Sequence, residues 1–423
     1  MEKFRIIGER RLSGEVAVSG AKNAALPCLA ASLLTSGPVV LENLPRVRDI
    51  LTMERVLAAL GESCSHGNGE TTVVAGGGDA HHAPYELVRT MRASVLVLGP
   101  LLARRRRARV ALPGGCAIGA RPIDLHLDAL TALGAALRVE RGDVDAEAPG
   151  GLRGAAVTFP KVTVTGTENV MMAACLARGR TVLRNCAREP EVGDLARLLV
   201  AMGAEIDGID GDTLTIRGGD ELHGARHRVI PDRIEAGTYV IAAALAGDGV
   251  RVTQCLPDHI SALLALLDEA GVAAQRERDS VLVSAPGQPL RATSALTAEY
   301  PGFATDLQAQ LITLMTQAEG RCTVTEAIFE NRFQHVLELK RLGARIEVSG
   351  REAHVVGPTP LEGTTVMASD LRASAALVLA ALVARGETII DRIYHLDRGY
   401  EAMETKLERL GASVQRFNPG PYV

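Results

Sequence analysis

LKRLGARI, residues 339–346, reads as the end of one helix and the start of one strand. Leucines spaced for one helical face run into Gly343, and an alternating apolar segment follows. A glycine at that junction takes the left-handed conformation that closes a helix without a Cβ clash. The same phrase occurs five more times: VLAALGESC (56–64), LTALGAAL (130–137), LLVAMGAEI (198–206), LLDEAGVAA (266–274) and LERLGASV (407–414). Its glycines, Gly61, Gly134, Gly203, Gly271, Gly343 and Gly411, are 68 to 73 residues apart. A period of that length marks a repeated supersecondary unit.

Ahead of each glycine a polar cluster opens an Ala/Leu-rich helix. The clusters are SGAKN (19–23), TMRAS (90–94), TGTEN (165–169), DRIEAGT (232–238), ATDLQ (304–308) and SDLRAS (369–374). Short β-rich stretches such as RTVLRNC and GETIIDRI lie between the two helices. Each unit therefore reads as helix, strand, helix, strand, with extra strands joining it to the next. A helix buries one stripe and a sheet one face, so three such units can enclose a core and six make two pseudo-threefold domains. The expected fold class is α/β, with three βαβαββ-type units per domain. The opening strands, Phe4 to Ile7 and Glu15 to Val18, are expected to join the last three units. That makes one domain discontinuous, residues 1–21 and 231–423, and the other continuous, residues 22–230.

With 423 residues the chain is long enough for two domains. Aromatic residues are 3% of it and tryptophan is absent, so its cores must be built from Ala, Leu, Val and Ile. A net charge of −4 excludes a broad basic surface for nucleic acid or anionic membrane. The cysteines, at 28, 64, 116, 175, 186, 255 and 322, form no CxxC pair, which points to reduced thiols rather than a disulfide frame or a zinc site. No apolar run is long enough for a membrane span, and the start lacks a signal-type apolar segment. A cytoplasmic protein is expected.

Chemistry concentrates in two places. The first is RRRRARVALPGGCAIGAR, Arg104 to Arg121, which sets Cys116 among glycines and between arginines, in the manner of a reactive thiol on a loop that closes over a ligand. The run Arg104 to Arg107 reads as its solvated approach, between a helix ending near Ala103 and a strand starting at Arg109. The second is the set of helix N-termini, which favour anions. They carry Lys22, Arg92 and Arg372, and Arg121 and Arg398 add further cations suited to phosphate and carboxylate. Asp306 and Asp370 also sit at helix starts, where either could be an ordinary N-cap or a general base.

Nine segments in order resemble one family: SGAKNAALP (19–27), MRAS (91–94), LPGGCAIGARPIDLHL (112–127), REPE (188–191), PDRIEAGT (231–238), TDLQAQ (305–310), FENRFQH (329–335), SDLRAS (369–374) and DRIYHLDRGYE (391–401). Together they are similar to the UDP-N-acetylglucosamine enolpyruvyltransferases. The resemblance implies a two-domain inside-out α/β barrel with the active site in the cleft between the domains. It implies transfer of the enolpyruvyl group of phosphoenolpyruvate to the 3′-hydroxyl of UDP-N-acetylglucosamine with release of phosphate, the first committed step of peptidoglycan synthesis. No metal or organic cofactor, nucleic acid or membrane is implied, and a monomer is favoured.

The resemblance also implies roles. Cys116 is the thiol that protonates phosphoenolpyruvate, adds to it covalently and reacts with the epoxide fosfomycin. Asp306 accepts the hydroxyl proton, and Asp370 is a second acid/base group. Lys22, Arg121 and Arg398 clamp the phosphate and carboxylate, with Arg92 and Arg372 in support. Asn23, Arg121, Pro122, Ile123, Asp124, Leu125, Lys161, Val162, Thr163, Val164, Asp306 and Ile328 contact the nucleotide sugar. Glu299 departs from the pattern and carries no assigned function. The alternatives are a 3-phosphoshikimate enolpyruvyltransferase, whose family lacks the loop cysteine, a non-catalytic UDP-sugar-binding paralogue, and an RNA-modifying relative built from similar repeats.

Overall fold

A computed structural model describes residues 2–112, 123–285 and 287–419. Cys116, Arg121 and Pro122 lie outside the described residues. The chain divides into two compact units with boundaries at Ser19/Gly20 and Ile230/Pro231. The terminal unit holds residues 2–19 and 231–419; the middle unit holds 20–112 and 123–230. Each contains three four-stranded sheets.

The architecture of one repeat is clearest at residues 156–218. Ala156–Thr158 pairs in parallel with Gly179–Arg184, and the helix Val164–Ala174 crosses between them. The outer helix Pro190–Ala201 then leads into the antiparallel hairpin Glu205–Asp207 and Thr213–Gly218, whose second strand pairs with Gly179–Arg184. The other sheets repeat this order, but three are completed by distant segments. Arg226–Arg228 pairs in parallel with Val39–Glu42. Lys3–Ile7 lies antiparallel between Glu387–Asp391 and Ser413–Phe417, with Phe4 opposite Ile390 and Arg416, while Leu12–Ala17 runs parallel to Gly247–Thr253.

The crossing helices are the cores. In the terminal unit Arg233–Ala246, Gln308–Met315 and Leu371–Val383 pack against one another and are buried on almost every residue. A helix apolar all round belongs inside, which accounts for the Ala-rich segments VIAAALA and AALVLAALV. In the middle unit Lys22–Ala31, Leu98–Arg105 and Val164–Ala174 play that part. Their approach is close enough to require glycine: a Cβ on Gly99 would lie 2.3 Å from the carbonyl oxygen of Asn169. The outer helix Arg48–Ala59 buries one stripe, at Ile50, Met53, Val56 and Leu57. All six repeat glycines have φ between 85° and 102°, the left-handed geometry expected at a helix C-terminus.

Only the second half of the arginine run is a solvated turn. The helix continues to Arg105, and Arg106 turns the chain at φ 59°. The Arg104 guanidinium donates to the carbonyls of Leu33 (3.1 Å) and Thr35 (2.5 Å). Arg105 pairs with Glu62 at 2.9 Å, their side chains 11% and 1% exposed, and donates to the carbonyls of Leu60 and Ala80. Only Arg106 and Arg107 are exposed. The long side chains reach across to the first repeat and satisfy carbonyls at its helix ends, which otherwise lack donors.

Candidate functional site

In the middle unit Lys22 is the first residue of its helix and is only 8% exposed. A cation at a positive helix end is unfavourable alone; Asp49, in the first turn of Arg48–Ala59, accepts from its Nζ at 3.2 Å. Asn23 follows it, half-buried. Arg92 opens the 3-10 segment Arg92–Val97, and its charge reaches His126. Burial first, then Arg92, lowers the His126 pKa to about 4, so the imidazole is neutral near pH 7.

The tautomer follows from the partners. Asn169 Oδ1 accepts from the Gly99 amide at 2.7 Å, so its Nδ2 is the donor to Val95 O and to His126 Nδ1 at 3.0 Å. The His126 proton is therefore on Nε2, which faces Thr165 Oγ1 at 3.2 Å. Through this buried network the segment Ile123, Asp124 and Leu125, at the start of helix Asp124–Ala132, is fixed against Thr163 and Val164, at the start of Val164–Ala174. Thr163 caps that helix by accepting from the Gly166 amide at 3.2 Å. Lys161 and Asp124 are exposed, and Val162 and Leu125 are half-buried.

In the terminal unit Asp306 sits in the 3-10 turn Thr305–Leu307, with its side chain 26% exposed. Each carboxylate oxygen meets a guanidinium: Arg332 Nη2 donates to Oδ1 at 2.6 Å, and Arg372 donates to Oδ2 through Nε (3.0 Å) and Nη2 (2.7 Å). Burial alone would raise this carboxyl, but Arg372 and Arg332 outweigh it and hold Asp306 well below the ordinary carboxylate range. The same pairing raises Arg372 against its own desolvation.

Asp370 differs. It is the N-cap of Leu371–Val383, with Oδ1 accepting from the amides of Arg372 (2.9 Å) and Ala373 (3.0 Å). It thereby sets the residue that grips Asp306. Arg398 ends the 3-10 segment Ile393–Arg398 and is half-buried. Burial, followed by Arg398, lowers the His395 pKa, and Asp370 opposes the shift. Ile328 is placed by Glu326, which is 1% exposed and accepts from Thr297 Oγ1, Thr305 Oγ1 and the amides of Ile328 and Phe329. Two partners of the expected residues were thus missed in the sequence reading. Arg332 lies inside the quoted FENRFQH segment and could have been found there. Glu326 lies just ahead of that segment, and nothing local marks it.

The chain belongs to the EPSP synthase (3-phosphoshikimate 1-carboxyvinyltransferase) family, whose model matches residues 6–407. Within that class it is 58% identical to the UDP-N-acetylglucosamine 1-carboxyvinyltransferase of Koribacter versatilis, over 99% of this chain and 97% of that protein. It is 56% identical to the protein of that name from Solibacter usitatus, over 98% of this chain and all of that one. Among solved structures it resembles the enolpyruvyl transferase NikO from Streptomyces tendae, at 29% identity and a TM-score of 0.88 over 99% of both chains.

Proposed function

We propose that the protein transfers the enolpyruvyl group of phosphoenolpyruvate to the 3′-hydroxyl of UDP-N-acetylglucosamine, releasing phosphate, as a cytoplasmic enzyme of peptidoglycan synthesis. The observation that carries this reading is the 58% identity, over nearly the whole chain, to a relative bearing that activity in its name. The reaction needs a proton delivered to the methylene carbon of the enol phosphate, attack of the sugar oxygen on the resulting oxocarbenium-like carbon, then loss of a proton from that methyl group and of phosphate. Cys116 is assigned the first proton and Asp306 the proton of the attacking hydroxyl. Asp370 is assigned a second acid/base role. Lys22, Arg92, Arg121, Arg372 and Arg398 are assigned the substrate anions, and Asn23, Arg121 to Leu125, Lys161 to Val164, Asp306 and Ile328 the nucleotide sugar.

The clamp on Asp306 gives this assignment a physical requirement. A carboxylate held so far below its ordinary range is a weak base. A substrate anion that draws Arg372 or Arg332 toward itself loosens the clamp, and Asp306 gains basicity as the substrate arrives. The reading is tested by incubating the protein with phosphoenolpyruvate and UDP-N-acetylglucosamine, following phosphate release, and weighing the product. Phosphate and an enolpyruvyl adduct of the nucleotide sugar support it; phosphate without the adduct, or none, refutes it.

A further inference from the structure

Cys28, Asp194 and His227 come from three elements of the middle unit that are far apart in sequence. Cys28 lies on the central helix Lys22–Ala31, Asp194 on the outer helix Pro190–Ala201, and His227 on the strand Arg226–Arg228. One ligand-type atom from each lies within 4.8 Å of the others. His227 Nε2 meets Asp194 Oδ1 at 3.0 Å, with side chains 12% and 2% exposed. Cys28 is fully buried. Asp194 Oδ2 is buried and accepts no hydrogen bond. An orphaned carboxylate oxygen in a core needs an explanation, and an ion is among the few available. Plain packing does not supply one, because an apolar side chain in place of Cys28 would fill the space without setting sulfur beside an acid and an imidazole.

We infer that Cys28, Asp194 and His227 form a site for a divalent transition ion of the Zn²⁺ type, structural in role and separate from the residues assigned to catalysis. The donor set of one thiolate, one imidazole and one carboxylate suits Zn²⁺ or Co²⁺ and not a hard cation such as Mg²⁺, which takes oxygen ligands. Tetrahedral coordination sets nitrogen and oxygen ligands about 3.4 Å apart and sulfur and nitrogen about 3.5 Å apart. The His227–Asp194 separation already approaches that value, and the sulfur has at most about an ångström to travel.

Charge also balances. Burial, then Asp194 and Glu168, keep the Cys28 thiol protonated far above its ordinary range. The incoming dication displaces that proton, and thiolate, carboxylate and imidazole then surround the ion with no net charge to bury. A water completes the fourth position and leaves that balance unchanged. The spacing carries no CxxC or HxxxH signature, so the sequence has no zinc pattern to display.

The test uses chelator-treated full-length Cys116→Ser protein, which removes the loop thiol, titrated with Co²⁺ alone. One Co²⁺ per chain with a near-ultraviolet thiolate-to-cobalt band is expected, together with a rise in melting temperature on adding Zn²⁺. Cys28→Ser is expected to abolish the band, and His227→Asn to weaken Co²⁺ binding at least tenfold. Absence of the band in the parent, or its survival in Cys28→Ser, overturns the proposal. Because the parent alone decides the first outcome, failure of a variant to fold leaves the test intact. The readout requires no turnover, so it stands or falls independently of the proposed reaction.

Discussion

Replacing Arg332 by glutamine tests the clamp on Asp306. Arg332 donates to Oδ1 at 2.6 Å, leaving Arg372 alone on Oδ2 if it is removed. Two unit charges about 4 Å apart at an effective dielectric near 20 attract by about 4 kcal/mol. That value is an upper bound, and an adjacent guanidinium usually lowers an aspartate by about 1 to 3 pKa units. With Asp306 about a quarter exposed, a rise of about 1 to 2 units is the expected consequence. The acid limb of kcat/KM reports the base in the free enzyme, so it should move upward by that amount in Arg332→Gln relative to the parent. Titration of the substrate phosphate is common to both and cancels. Arg332→Lys, which keeps the charge, should move the limb less than half as far. Stability gives a second check. Because Asp306 has a folded-state pKa below its unfolded value, the clamp stabilises the fold above the ordinary carboxylate range and that contribution is lost as pH falls through it. Arg332→Gln should therefore lose less stability on acidification than the parent. An acid limb that stays in place, or moves to lower pH, would show that Arg332 does not hold the Asp306 carboxyl down.

Three further outcomes are expected. Arg105→Met leaves the buried Glu62 unpaired, so urea unfolding should show a loss of about 3 kcal/mol. Burial already raises Glu62 despite Arg105, and a protonated Glu62 carries no unpaired charge, so the deficit should shrink as pH falls and Glu62 takes up a proton. Asp370→Asn keeps an N-cap of similar strength and should unfold within about 0.5 kcal/mol of the parent, whereas Asp370→Ala should lose about 1 kcal/mol. A turnover loss of tenfold or more in the asparagine variant would then report the acid/base role rather than the cap. Fosfomycin should label Cys116 alone, as read by peptide mass mapping, because burial pushes Cys64, Cys186, Cys255 and Cys322 to about 11 and Cys175 to about 12, and raises Cys28 well above the ordinary thiol range. Labelling at any of those six would contradict the selectivity expected from their neutral thiols.

The fold was legible because the repeat junction depends on one local requirement. A helix that ends against a sheet needs a left-handed residue, and Gly61, Gly134, Gly203, Gly271, Gly343 and Gly411 all supply it. The division between central and outer helices was written in their composition, continuous in AALVLAALV and striped in Arg48–Ala59. Much less could be read of the site, since its interactions join residues distant in sequence. Asp306 and Asp370 both open helices, yet one is gripped by two guanidiniums and the other caps the helix that carries one of them. Nothing local separates those fates. Arg104 and Arg105 misled for the same reason. Four consecutive arginines resemble a solvated turn, and only the fold brings Leu33, Thr35, Leu60 and Glu62 within their reach.

The acceptor is what separates the two activities, because the family that contains this chain is described by a carboxyvinyl transfer to 3-phosphoshikimate, whereas its full-length relatives are described by transfer to UDP-N-acetylglucosamine. The most direct measurement is kcat/KM for phosphate release from phosphoenolpyruvate with each acceptor on one preparation. Turnover is expected with UDP-N-acetylglucosamine and none above background with shikimate 3-phosphate. Comparable turnover with the two, or turnover with shikimate 3-phosphate alone, would contradict it.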